Sequence, residues 1–174
     1  PDIHIISVSA TPIPRTLSFG LSRLRDISII RTPPQKRIPT ETHVLPYNKN
    51  FIQKAILREL DRSGQIFFLH NRIETLPLFK EKLQRLAPKA RIECVHGRVK
   101  AETVLNILKN LRAGTIDILV APTIIEQGID FPNANTLIVE DSTRLGLSEA
   151  HQLRGRIGRG TVSSYAYFFY RSRN

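Results

Sequence analysis

Cysteine is nearly absent from this 174-residue chain. The single Cys94 excludes a disulfide framework and fits a reducing, intracellular setting, so a cytoplasmic protein is expected. Read in its strand context, Cys94 is a small core residue. Long apolar runs are also missing. No stretch approaches the roughly 18–20 residues that cross a bilayer, so no membrane partner is expected. An initiating Met, a signal peptide and a transit pattern are all absent, and the chain opens at Pro1 inside an apolar run, as a piece of a longer protein is expected to. The histidines His4, His43, His70, His96 and His151 stand without metal-ligand spacing and without Cys or acid clusters beside them, so no metal site is expected. Apolar residues at 41% and charged residues at 24% are ordinary globular usage, which sets aside disorder and collagen-like structure.

Acidic residues are scarce in particular places. Lys and Arg number 26 against 15 Asp and Glu, a net charge of +11. Residues 151–174 hold five arginines and no acid, the first forty residues are also basic, and 41–150 are near balance. Such a balance points to a polyanion such as nucleic acid, with a soluble, patchily charged surface as the alternative.

Seven of the eleven prolines fall in the first 46 residues, and their density over Thr32–Pro39 forbids a helix interior or a central strand there. That stretch reads as an extended linker, preceded by a strand at Ile3–Val8, a helix with Pro14 in its first turn, and a strand at Ile27–Ile30. Beyond it, strand-like runs fall at Ile66–Leu69, Ile92–Val95, Ile116–Val120, Thr136–Val139 and Tyr165–Tyr170. Between the earlier runs, Leu76, Phe79, Leu83 and Leu86 recur at helical spacing, as do Ala101, Val104, Leu105, Leu108 and Leu111. Strands alternating with helices imply an α/β fold with a mainly parallel, buried sheet.

Ligands of such a sheet bind beyond the carboxyl ends of its strands, where three segments are expected. In His151–Gly160, a continuous helix would put Leu147, Ala150, Leu153 and Ile157 on the core face and Gln152, Arg156 and Arg159 on the other. Gly155 and Gly158 each cost such a helix about 1 kcal/mol, which close approach of a ligand or another backbone would explain. Paired guanidiniums on one face suit phosphate oxygens, and an exposed basic helix is the plainer alternative. In Val120–Pro132, Thr123 offers a hydroxyl, Gly128 a close approach and Asp130 an acceptor for sugar hydroxyls; an ordinary strand connection would look similar. Ser9–Thr16 reads equally as a proline-rich turn. His96-Gly97-Arg98, after a strand, suggests backbone contacts to a phosphate chain.

Together these segments resemble the second RecA-like, P-loop NTPase-type lobe of superfamily 2 helicases and translocases. Ser9-Ala10-Thr11 is similar to motif III, Ile66–Asn71 to motif IV, Thr123–Asp130 to motif V and Gln152–Arg159 to motif VI. The stretches SATPIPRTLSFGLSRLRDISIIRTPP, PTIIEQGIDFPNAN and HQLRGRIGRG resemble the transcription-repair coupling factor family most, with the RecG family next. The likeness runs from about Ile5 to Phe169. Pro122 and Gln127 depart from the family's Thr-Thr-Ile-Ile-Glu-Thr-Gly: Pro122 removes a hydroxyl and an N–H beside Thr123, while Gln127 keeps a polar side chain.

The resemblance implies residues 1–40 as the end of a first lobe plus an inter-lobe linker, and 41–174 as the C-terminal lobe. It implies ATP bound between two lobes, with Walker A and acidic Mg²⁺-binding motifs on the first. Neither Gly-Lys-Ser/Thr nor Asp-Glu occurs in this sequence, so the chain alone is not expected to hydrolyse ATP or to bind it tightly. Arg156 and Arg159 would be arginine fingers, Gln152 would orient the nucleotide, and Gly128 and Asp130 would approach its ribose. Ser9, Ala10 and Thr11 would couple nucleotide state to lobe closure. Thr123, His96, Gly97, Arg98 and Asn71 would touch the DNA backbone. Implied partners are double-stranded DNA, the first lobe and, through other domains, RNA polymerase. A RecG-like fork-remodelling lobe and a non-hydrolytic nucleic-acid-binding scaffold are the alternatives.

Overall fold

The computed structural model describes residues 28, 38–122, 133–158 and 160–171. Their strands are β1 (Glu41–Pro46), β2 (Gln65–Leu69), β3 (Ile92–Cys94), β4 (Ile118–Ala121), β5 (Ala134–Val139) and β6 (Tyr165–Tyr170). They form one sheet in the order β1-β6-β5-β2-β4-β3, with every pair parallel. Strands buried on both faces need no polar alternation, and β4 and β5 are buried at every position. The helices are α1 (Lys49–Asp61), α2 (Leu76–Leu86), α3 (Ala101–Arg112) and α4 (Leu147–Arg154), with a short 3₁₀ turn at Ile73–Thr75 before α2.

The period-2 geometry of the strands divides the core. Ile66, Phe68, Ile118, Val120, Ile138, Tyr167 and Phe169 point to the face covered by α1 and α2, where Ile52, Ile56, Phe79 and Leu83 meet them. Leu69, Leu137, Val139 and Phe168 point to the opposite face, against Leu153 and Ile157 of α4 and the turn after it. Leu119 and Val95 share that side with Leu108 and Leu111 of α3. The result is a helix–sheet–helix sandwich, as the α/β reading requires.

Local chemistry starts the first two helices. Asn48 caps α1, its side-chain oxygen accepting from the N–H groups of Asn50 and Phe51 at 3.0 and 3.1 Å. Pro77 occupies the first turn of α2, where its missing N–H leaves no bond unmade.

Several expectations are corrected. Leu105 is 51% exposed and Ala101 is also exposed, because α3 packs through Val104, Ile107, Leu108 and Leu111. The fourth strand begins at Ile118 rather than Ile116, and the fifth starts earlier, at Ala134. β1 and α1 carry no counterpart in the sequence reading. The strand-helix-strand expected over Ile3–Ile30 and most of the linker lie outside the described residues.

Candidate nucleotide and nucleic-acid contact residues

Because all strands run the same way, their carboxyl ends share one rim. Asn71 follows β2 there, and its side-chain N–H donates to the Asp141 carbonyl beyond β5 at 3.1 Å. The Thr143 hydroxyl bonds the Asp141 carboxylate at 2.6 Å and holds it below the ordinary carboxylate range; partial burial opposes this, while the Thr143 N–H, Arg171 and Arg144 add to it. His96, Gly97 and Arg98 follow β3 on the same rim. The His96 carbonyl accepts the Val99 N–H at 3.0 Å, closing a turn that leaves Gly97 exposed with open space where a Cβ would lie. Arg98 makes a loose, exposed ion pair with Glu74 at 3.5 Å, a contact an external phosphate could replace at little cost.

A cleft of about 420 Å³ opens on this rim, with Asn71, Arg72, Lys82 and Arg85 among its lining residues. Its inner wall is an ordered polar chain. Glu140 takes Arg171 at 2.8 Å on one carboxylate oxygen and His70 on the other, and the second ring nitrogen of His70 meets the Thr75 hydroxyl at 2.7 Å. The His70 ring stacks on Phe79 with centroids 4.2 Å apart. Arg171 also lies over the Tyr47 ring at 4.5 Å; burial, with Glu140 nearby, pushes the Tyr47 hydroxyl up.

Gln152 and Arg156 sit elsewhere. Gln152 is exposed on α4, which ends at Arg154 with Gly155 as its cap. Arg156 lies in the following turn, its N–H on the Leu153 carbonyl at 3.0 Å. The single helical face expected for Gln152, Arg156 and Arg159 therefore stops short: Gly158 takes φ +68°, a left-handed conformation that ends helical continuation. The apolar stripe is also shorter than expected. Leu153 and Ile157 are 2% and 0% exposed, but Leu147, the first helical residue, is 78% exposed. The close approach that Gly158 permits is internal, because a Cβ there would overlap the Ser164 hydroxyl and stand 3.1 Å from Thr40 Oγ1.

The position of this segment is a second correction. The Gly158 N–H donates to the carbonyl of Ala134, the first residue of β5, at 3.2 Å. Arg156 therefore lies toward the amino ends of the strands, away from the rim that carries Asn71 and His96. Its side chain is half-buried, and no ion pair among the described residues engages it. Ser9, Ala10, Thr11, Thr123, Gly128, Asp130 and Arg159 lie outside the described residues. No group of three metal-ligating side chains occurs among the described residues.

The family described as helicase conserved C-terminal domain matches residues 48–161, from the cap of α1 through the turn after α4. The chain belongs to this family. It is 46% identical over 169 residues to the transcription-repair-coupling factor of Staphylococcus haemolyticus, which covers 97% of this chain and 14% of that protein. A solved structure of RecG bound to a three-way DNA junction matches with TM-score 0.79 and 32% identity, covering 95% of this chain and 22% of that one. Yeast Dbp5 bound to RNA and ADP BeF3 shares the fold, with TM-score 0.68 at 16% identity over 95% of this chain and 44% of that one. The chain thus spans about a seventh of the coupling factor it matches.

Sequence pattern alone does not single out Thr40, Ser164, Glu140 or Arg171. Thr40 and Ser164 share a hydroxyl hydrogen bond across 124 positions, and Glu140 reaches Arg171 across 31. Pairings of that range leave no local signal.

Proposed function

We propose that this chain is the C-terminal motor lobe of an ATP-dependent double-stranded DNA translocase acting in transcription-coupled DNA repair. The observation that carries the reading is the setting of Arg156. It belongs to HQLRGRIGRG, stands between the buried anchors Leu153 and Ile157, and has no carboxylate partner among the described residues. A guanidinium fixed in position but not neutralised within its own domain is suited to an anionic ligand presented by another domain.

In this reading Arg156 and Arg159 reach the γ-phosphate of ATP across an inter-lobe cleft and stabilise charge in the phosphoryl-transfer transition state. Such fingers are worth roughly 10³–10⁵ in rate. Gln152, on the preceding turn, orients the nucleotide, with Gly128 and Asp130 at its ribose. Mg²⁺ is held by acidic residues of the first lobe, outside this chain. At the other end of the sheet, Asn71, His96, Gly97 and Arg98 hold the DNA backbone; Thr123, outside the described residues, is assigned the same role. Backbone contacts suit a translocase, since motion along any sequence requires that base edges go unread. Closure on ATP and release after hydrolysis, with Ser9, Ala10 and Thr11 linking the two, make an alternating grip and a step. The push is delivered to a stalled RNA polymerase through other domains of a cytoplasmic protein.

A RecG-like fork-remodelling lobe is the second reading, favoured by the 32% identity to RecG bound to a DNA junction. The test is ATP hydrolysis by the full-length protein with and without double-stranded DNA, wild type beside Arg159→Ala, followed by displacement of stalled RNA polymerase. DNA-stimulated turnover lost in the variant, together with displacement, supports the coupling reading. Turnover with fork regression and no displacement favours the second. Absence of hydrolysis in the wild type leaves a non-hydrolytic scaffold.

A further inference from the structure

The turn that carries Arg156 is fastened to the point where the chain enters the domain. Ser164, 1% exposed just before β6, makes a 2.8 Å hydroxyl–hydroxyl hydrogen bond with Thr40, just before β1. The carbonyl of Ser164 also accepts the Glu41 N–H at 2.9 Å. Gly158 rests on this bridge. A Cβ on it would overlap the Ser164 hydroxyl, stand 2.7 Å from Ser164 Cβ and lie 3.1 Å from Thr40 Oγ1, and its own N–H is taken by Ala134. Next door, Arg62 donates to the Ser163 carbonyl at 2.7 Å while its guanidinium holds the buried Glu59, tying the same loop to the end of α1.

The tether from this bridge to Arg156 is short. One residue, the fully buried Ile157, separates Arg156 from Gly158. Gly158 leaves no room for a side chain against Ser164 and Thr40, and Thr40 is the last residue before β1. A displacement of the segment leading into β1 therefore reaches Arg156 through packed contacts, with no flexible loop between.

We infer that Thr40 and Ser164 are positioning residues for Arg156: their hydroxyl bridge clamps Gly158 and couples the segment entering the domain to the setting of the arginine. The inference rests on the reading of Arg156 as a finger toward a phosphate. Neither hydroxyl touches nucleotide. Each acts by narrowing the range of positions Arg156 samples, so its loss shows in turnover rather than in nucleotide affinity.

The experiment is DNA-stimulated ATP hydrolysis by the full-length protein carrying Thr40→Val, Thr40→Ser, Ser164→Ala or Arg156→Ala. Kcat and KM for ATP are measured separately, and thermal melts are recorded alongside. Thr40→Val and Ser164→Ala are expected to lower kcat about two- to tenfold, the scale set by one hydrogen bond. KM should stay near wild type, melting should fall by no more than a few degrees, as loss of one buried hydrogen bond implies, and Thr40→Ser, which keeps the hydroxyl, should restore kcat. Should Thr40→Val fail to fold, Ser164→Ala tests the same bond from its other end. Wild-type kcat in both hydroxyl variants, with Arg156→Ala inactive, overturns the inference and leaves the finger reading standing. A loss that Thr40→Ser does not restore overturns it as well. Full turnover in Arg156→Ala removes the finger reading itself, and the inference with it.

Discussion

Glu140 grips His70 from the neighbouring strand: the carboxylate that follows β5 and the imidazole that follows β2 are hydrogen-bonded at the carboxyl rim, with only 12% and 11% of their side chains exposed. Arg171, from the end of β6, shares the same carboxylate at 2.8 Å. One acidic side chain thus ties three adjacent strand ends together beside Asn71. Glu140→Ala leaves a buried ring nitrogen without its acceptor, which costs about 1–3 kcal/mol. Urea unfolding of the variant should show a loss of that size. A midpoint unchanged from wild type would mean that the His70–Glu140 contact contributes nothing to stability.

Gly64 predicts a second loss, at the opposite end of β2. A Cβ there would overlap the Glu59 carboxylate, 2.7 Å from its Cδ and 3.3 Å from the Asn135 amide nitrogen. Glu59 is 1% exposed and held by Arg62 and the Thr136 hydroxyl, so it has no room to swing aside. Gly64→Ala should destabilise by about 1–3 kcal/mol through overpacking. Pairing it with Glu59→Ala should recover part of the loss. Strict additivity of the two changes in denaturant unfolding would show that the clash is absent.

Asp117 gives the protein an acid-sensitive clip. Burial alone would raise its carboxyl, but the Arg91 guanidinium, at 2.6 and 3.0 Å, and the Arg91 N–H, at 2.8 Å, outweigh burial and hold it below its ordinary 3.8. A carboxyl depressed in the folded state contributes stability that is present above its unfolded value and lost as pH falls through the folded one. The stability difference between wild type and Asp117→Asn should therefore be flat from about pH 8 to about pH 5 and shrink below about pH 4. A difference that stays constant to the lowest pH at which the protein folds would contradict the clip. The ion pair is partly exposed, so high salt should also weaken it.

The sheet interior was legible from local pattern. Tyr165–Tyr170 and Ile66–Leu69 are continuous apolar runs, and strands covered on both faces need that composition. Once the strands are placed in parallel, Asn71 and His96 fall on one rim without further information. β1 was not legible because its Glu-Thr-His-Val-Leu-Pro sequence carries no apolar run. Glu41, Thr42 and Pro46 are exposed there, and its pairing partners, Tyr165–Tyr170, lie far along the chain. The His151–Gly160 segment was legible as chemistry but not as geometry. Its spacing fits one long helix, and only the left-handed φ of Gly158 shows where that helix cannot continue. The sequence marked Gly158 as a place of close approach, and Ser164, the residue that makes the approach, carries no mark of its own.

Arg156 is proposed to act across the inter-lobe cleft on a nucleotide held by another lobe of the same protein. Its most direct test is kcat for DNA-stimulated ATP hydrolysis by the full-length protein carrying Arg156→Ala and Arg156→Lys, beside wild type. A fall of about 10³ or more is expected for Ala, with partial activity at best for Lys and unchanged folding in both, because a lone ammonium cannot reproduce the guanidinium fork. Turnover within a few-fold of wild type in Arg156→Ala would contradict that role for Arg156.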